Sequence, residues 1–193
     1  MTLFTLHDAA SAPERSRPIL EHSAGSLGFV PNLYGVLAGS PSLLKGYTTL
    51  SGIFESSALS ATQRQVVLLT VSAENGCDYC VAAHSAIARA QKVAEETITA
   101  VRDGLPMPDE KLQSLREFTR QLVRQRGWVP ERDVRAFLDS GFTTEEALDV
   151  ILGIGLKTLS NYANHIASTP LDAAFSAHEW RLSRPPAGSH HAE

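Results

Sequence analysis

Ser60-Ala61-Thr62-Gln63, followed by Val66, Val67, Leu68, Leu69, Val71 and Ala73, constrains the fold of this chain more than any other stretch. A serine that caps the backbone three residues on, answered by a glutamine reaching back, is a capping box and starts a helix. The apolar residues that follow nearly encircle that helix. Such a helix belongs deep in a core or in a subunit interface, not on a surface. Asn75-Gly76 stops it, because both residues tolerate the left-handed backbone that a helix end needs. Thr143-Thr144-Glu145-Glu146 is a second capping box. It opens a long apolar helix through Leu148, Ile151, Leu152, Ile154, Leu156, Leu159 and Ile166, closed by Ser168-Thr169-Pro170.

The rest of the chain repeats this alternation of helix and break. Pro18 opens a short helix that ends near Gly25-Ser26-Leu27-Gly28, and Phe29-Val30-Pro31-Asn32 turns into Leu33–Leu37. Ser40-Pro41 pairs an N-cap serine with proline at the first helical position, and its helix reaches about Glu55. Further helices are predicted over roughly 77–91, 93–102, 110–126 and 131–139, broken at Gly104–Pro108 and Gly127–Pro130. No alternating β-branched strands are found. The fold class is therefore all-α: an N-terminal arm over 1–12, one helical domain over 13–182, and a flexible polar tail over 183–193 that holds His190 and His191.

Composition narrows the function. A net charge of −4 gives no basic surface for nucleic acid or anionic membrane. No apolar run is long enough to span a bilayer. The first eight residues lack a basic n-region and an apolar h-region, so the expectation is a cytoplasmic protein. In that compartment two cysteines at CxxC spacing form a reactive pair and not a structural framework.

That pair is Cys77-Asp78-Tyr79-Cys80, and His84 follows. Positions i, i+3 and i+7 share one helical stripe. Cα atoms three apart on a helix are roughly 5–5.5 Å from each other, within reach of a disulfide. A thiol at a helix N-terminus is acidified by the macrodipole, and this favours Cys77. Cys80 has His84 one turn further on as base or ion-pair partner. Attack of a thiolate on peroxide, then condensation of the sulfenic acid with the second thiol, needs nothing else. The competing readings are two small buried residues with a core histidine, or a zinc site that lacks an evident fourth ligand.

The run Gln63–His84, with its CxxCxxxH core, resembles the carboxymuconolactone decarboxylase superfamily on its AhpD-like (alkylhydroperoxidase D-like) branch. Phe29-Val30-Pro31-Asn32 with Ser40-Pro41-Ser42-Leu43-Leu44, and Leu156–His165, resemble its N- and C-terminal helices, so the likeness runs over about 15–180. The resemblance implies a helical domain assembled as a homo-oligomer, commonly a trimer or hexamer. It implies reduction of organic or hydrogen peroxide by a dithiol cycle with no metal or organic cofactor, recharged by a protein or small-molecule dithiol. It also implies Cys80 as the attacking cysteine, Cys77 as the resolving one and His84 in the proton relay. The relay glutamate expected twelve residues before the first cysteine is replaced by Gln65, and an amide cannot shuttle protons. Glu74, just before the Asn75-Gly76 break, is the candidate to supply the carboxylate from a different point, set against its reading as an exposed helix-end residue. Tyr79, Tyr162 and His165 are candidate pocket residues beside Gln65, and Asn161 and Asn164 are polar positions on the same apolar helix. Two alternatives stand beside the peroxidase: a lactone decarboxylase like the family's namesake, and a redox-sensing oligomer without turnover. Gly153-Ile154-Gly155 is read as close helix packing and not as a nucleotide loop.

Overall fold

The computed structural model describes residues 3–181, so the tail over 183–193 with His190 and His191 lies outside the described residues. Nine α-helices carry the described fold: α1 (Arg17–Leu27), α2 (Asn32–Leu37), α3 (Pro41–Glu55), α4 (Ala61–Glu74), α5 (Asp78–Ala90), α6 (Glu95–Asp103), α7 (Glu110–Arg124), α8 (Glu131–Asp139) and α9 (Thr144–Ala167). No strand occurs among the described residues, and no described helix is long and apolar enough to cross a membrane.

The caps form as their residue types dictate. Ser60 Oγ accepts from Gln63 N at 3.3 Å while Gln63 Oε1 accepts from Ser60 N at 2.7 Å. Thr143 and Glu146 do the same for α9, at 3.1 and 2.8 Å. Gly76, at φ 65°, turns the chain out of α4 and into the cysteine helix.

The helix α4 is the centre of the molecule and packs against α5, α6, α7 and α9. Every residue from Gln65 to Ser72 is buried, which confirms that an encircling apolar pattern needs cover on all sides. Burial of each valine or leucine in that run stabilises the fold by roughly 1.5–3 kcal/mol. α9 lies along both α3 and α4. It comes close there because Gly153 has no side chain: a Cβ would meet Val67 Cγ1 at 2.8 Å and Phe54 Cε2 at 2.9 Å. Gly155 faces open space and plays no such part.

Two segments lacking a helical pattern are nonetheless fixed. Residues 3–13 run beside α2, where His7 N–H donates to Gly35 O at 3.1 Å. After α9, residues 170–181 cross back over α5 and include a 3-10 helix, Ala173–His178. The Asp172 carboxylate anchors this return by accepting from Asn32 N and from the Tyr79 hydroxyl.

Candidate active site

The turn at Asn75-Gly76 delivers Cys77 as the N-cap of α5, with extended backbone (φ −91°, ψ 91°), so the helix starts one residue later than the spacing predicts. Cys80 sits in the first helical turn, where the macrodipole favours an anion. His84 follows one turn on, and Cys80 and His84 line the same cavity. Both thiols are free and buried. α9 faces them with Lys157, Ser160 and Asn164, all buried. Asn164 Nδ2 donates to Cys80 Sγ at 3.2 Å and to Cys77 Sγ at 3.7 Å. Ser160 Oγ lies 3.8 Å from Cys80 Sγ. Lys157 is only 1% exposed and makes no ion pair with a carboxylate among the described residues.

These neighbours separate the two thiols. Burial pushes the Cys80 thiol up, but a hydrogen bond from Cys77, the charge and hydrogen bond of Lys157, and Ser160 outweigh it and hold Cys80 well below the ordinary thiol range. Cys77 moves the opposite way, because its proton is committed to Cys80 and burial adds to the effect. The helix-dipole argument for Cys77 as the more acidic thiol is thereby corrected. Cys77 caps the helix but is the donor of the pair, while Cys80 sits in the dipole field beside a buried ammonium.

His84 is held neutral by burial, and the Lys157 charge adds to this. Its Nδ1 lies 3.0 Å from Gln65 Oε1, while Gln65 Nε2 donates to Gln91 Oε1 at 3.1 Å. With the amide NH₂ spent on Gln91, its oxygen accepts the Nδ1 proton, and Nε2 is left as the basic nitrogen. Gln65 therefore sets the tautomer without moving a proton.

Cys80 opens on a cavity of about 230 Å³ lined also by His84, Gln65, Lys157, Tyr34, Tyr47 and Tyr79, with apolar walls that include Phe29, Leu33 and Phe175. Burial pushes the Tyr34 hydroxyl up to about 12 and raises Tyr47 further, so both phenols keep their protons. Tyr79 packs edge-on against Phe175, with centroids 6.2 Å apart, which ties the returning C-terminal segment to the cavity.

Three candidate residues, Glu74, Tyr162 and His165, stand away from the thiols. Glu74 does not reach the thiols: Arg120 and Arg124 hold its carboxylate at 2.9 and 2.6 Å, on the side of α4 that α7 covers. Tyr162 and His165 are exposed, because each step along a helix turns about 100° and carries them off the Asn164 face. Among the described residues no three His, Cys, Asp or Glu side chains gather as a metal site. Sequence reasoning passed over Lys157 and Ser160. With Asn164 they repeat the i, i+3, i+7 spacing of Cys77, Cys80 and His84, which is the signal that would have found them.

A sequence model of the carboxymuconolactone decarboxylase family matches residues 41–107, a span that holds α3, α4, α5 and α6. No curated protein matches the chain. Among solved structures, one described as an alkylhydroperoxidase AhpD core, an uncharacterized peroxidase-related protein from Ralstonia eutropha JMP134, superposes with a TM-score of 0.81 at 24% identity, covering 90% of this chain and 94% of that one. An uncharacterized peroxidase-related protein from Silicibacter sp. TM1040 gives 0.77 at 22% identity, covering 90% and 93%. A variant of the debrominase Bmp8 in complex with 2,3,4-tribromopyrrole gives 0.77 at 18% identity, covering 92% and 96%. Residues 41–107 thus match the carboxymuconolactone decarboxylase family model, and the chain shares the helical fold of these AhpD-like structures.

Proposed function

We propose that this protein is a dithiol hydroperoxide reductase in which Cys80 attacks and Cys77 resolves. The observation that carries the reading is the asymmetry of the pair: Asn164 donates to Cys80 Sγ at 3.2 Å, and Cys77, Lys157 and Ser160 draw the Cys80 thiol well below its ordinary range, while the Cys77 thiol is pushed up. Cys80 S⁻ attacks the distal oxygen of R–O–O–H. The O–O bond breaks, Cys80–SOH forms with the hydroperoxide's own proton, and RO⁻ leaves and takes a proton from solvent to become ROH. The Cys77 sulfur then attacks the Cys80 sulfenic sulfur and the S–O bond breaks, while His84 Nε2 takes the thiol proton and passes it to the departing hydroxide, giving the Cys77–Cys80 disulfide and water. An external dithiol restores both thiols.

Turnover of cumene hydroperoxide with dihydrolipoate tests this. The wild type consumes peroxide through many cycles, Cys80→Ser consumes none, and Cys77→Ser stops as a trapped sulfenic acid. A wild type that is oxidised once and does not cycle supports a redox sensor instead.

The aromatic walls favour one second reading, reductive debromination of the kind named for the Bmp8 neighbour. There two thiols and an aryl bromide would give the arene, bromide, a proton and the disulfide. The same assay with 2,3,4-tribromopyrrole in place of peroxide separates the two. We also infer a homo-oligomer, supported by the stripe of Leu148, Ile151, Tyr162 and Ile166 exposed on the side of α9 turned away from the thiols. A monomer by light scattering at micromolar concentration would count against it.

A further inference from the structure

Lys157 has a counter-charge only while the site is reduced. Its side chain is buried and in no ion pair with a carboxylate among the described residues, and it lines the same cavity as Cys80, whose thiolate answers its charge. The other groups around it are uncharged: Tyr34 and Tyr47 stay protonated and His84 stays neutral. Glu55, a carboxylate of the cavity lining, is half-exposed and engaged with Arg64 at 3.4 Å. Oxidation removes the thiolate. Cys77–SH and Cys80–S⁻ become the disulfide, releasing two electrons to the oxidant and one proton, and the charge of the cavity moves from zero to plus one. A buried ammonium without a partner is strongly unfavourable, so the oxidised cavity has an electrostatic demand that the reduced one lacks.

We propose that the oxidised cavity is a binding site for an organic monoanion with a slim apolar body, seated with its charge on Lys157. The chemistry on the walls fits that class. Lys157 supplies the cation, and the phenols of Tyr34 and Tyr47 are hydrogen-bond donors in the same cavity. Phe29, Leu33, Leu68, Ile87 and Phe175 supply an apolar wall suited to a ring or a short alkyl chain. The reduced cavity, with Lys157 already answered by Cys80, suits an uncharged molecule such as a hydroperoxide. The two halves of the cycle thus select differently: a neutral substrate enters when the thiolate is present, and an anion enters once it is gone. This rests on the dithiol reading above, where the natural anion is the thiolate of the reductant, drawn to the disulfide it must attack.

The test uses benzoate as the probe and needs no peroxide. The full chain is prepared with its thiols reduced, and separately with the disulfide formed by diamide, and benzoate binding is measured by calorimetry. The oxidised protein is expected to bind at least tenfold more tightly than the reduced protein, equivalent to about 1.4 kcal/mol. Lys157→Met is expected to abolish binding in the oxidised state, and toluene is expected to show no preference for either state. Equal affinity in the two wild-type states overturns the proposal without reference to any variant, as does undiminished benzoate binding by oxidised Lys157→Met. Failure of diamide to form the disulfide overturns it too. Cysteines inert to peroxide but closed by diamide would sink the peroxidase reading and leave this test standing.

Discussion

Asn164→Leu separates what the site needs from what the fold needs. Asn164 Nδ2 donates to Cys80 Sγ at 3.2 Å, while its Oδ1 is buried without a partner. The donor side is a hydrogen bond to a charged acceptor, worth about 1.5–3 kcal/mol. The acceptor side is an orphaned polar atom that costs about 1–3 kcal/mol. Leucine has nearly the same size and removes both. The thiolate then loses its donor, and at 1.4 kcal/mol per decade its population relative to thiol falls roughly 10- to 140-fold. The effect is full at a pH below the wild-type midpoint and vanishes well above it, so the assay is iodoacetamide alkylation of Cys80 against pH, read by intact mass. The midpoint is expected to rise and the low-pH rate to fall within that range, while the melting temperature stays level or rises. A low-pH alkylation rate within twofold of wild type would refute the assignment of Asn164 as a thiolate donor. A melting temperature lowered by 5 °C or more, roughly 1–2 kcal/mol at this chain length, would refute the claim that the amide is held against the interest of the fold.

Gln65→Leu strands the His84 Nδ1–H in the core, at about 1–3 kcal/mol, and melting should occur several degrees lower. Its turnover should fall through resolution, so that sulfenic acid accumulates; accumulation unchanged from wild type would exclude Gln65 as the group that sets the tautomer. Gly153→Ala forces a methyl against Val67 and Phe54 and should cost about 1–3 kcal/mol, whereas Gly155→Ala should gain up to about 1 kcal/mol from helix propensity. Equal melting temperatures for the two variants would contradict the close approach of α9. Because His84 is held neutral in the fold, the unfolded chain takes up a proton below the ordinary histidine pKa of 6.5 that the native state refuses. Stability is therefore lost as pH falls below about 6.5, and His84→Gln should flatten that part of the curve in urea titrations. A slope unchanged in the variant would place the acid sensitivity elsewhere.

The helices were legible because their ends carry chemistry. Ser60 with Gln63, Thr143 with Glu146, and Ser40 with Pro41 act within a few residues, so local sequence suffices to place α4, α9 and α3. The return of residues 170–181 over α5 was not legible. It has no apolar period and is held by Asp172 and Phe175, whose partners Tyr79 and Asn32 lie far away in sequence. In the site, spacing alone brought Cys77, Cys80 and His84 forward as candidates. Nearness in sequence misled for Glu74, three residues before Cys77, because the end of α4 turns that carboxylate toward Arg120 and Arg124. Gln65 was read as a lost carboxylate. The structure shows what the amide still does, which is to fix the imidazole while Gln91 fixes it in turn. Lys157 was hidden by expectation, since a lysine on an apolar helix is ordinarily assigned to solvent.

The central claim is that Cys80, and not Cys77, is the thiolate that meets the peroxide. One equivalent of cumene hydroperoxide, quenched within seconds and followed by a free-thiol count and intact mass, tests it on the wild type, Cys77→Ser and Cys80→Ser. The account predicts loss of both thiols and two mass units in the wild type, a sulfenic acid in Cys77→Ser, and an unreacted thiol in Cys80→Ser. A sulfenic acid formed by Cys80→Ser, or wild-type thiols that survive for many minutes, would contradict it.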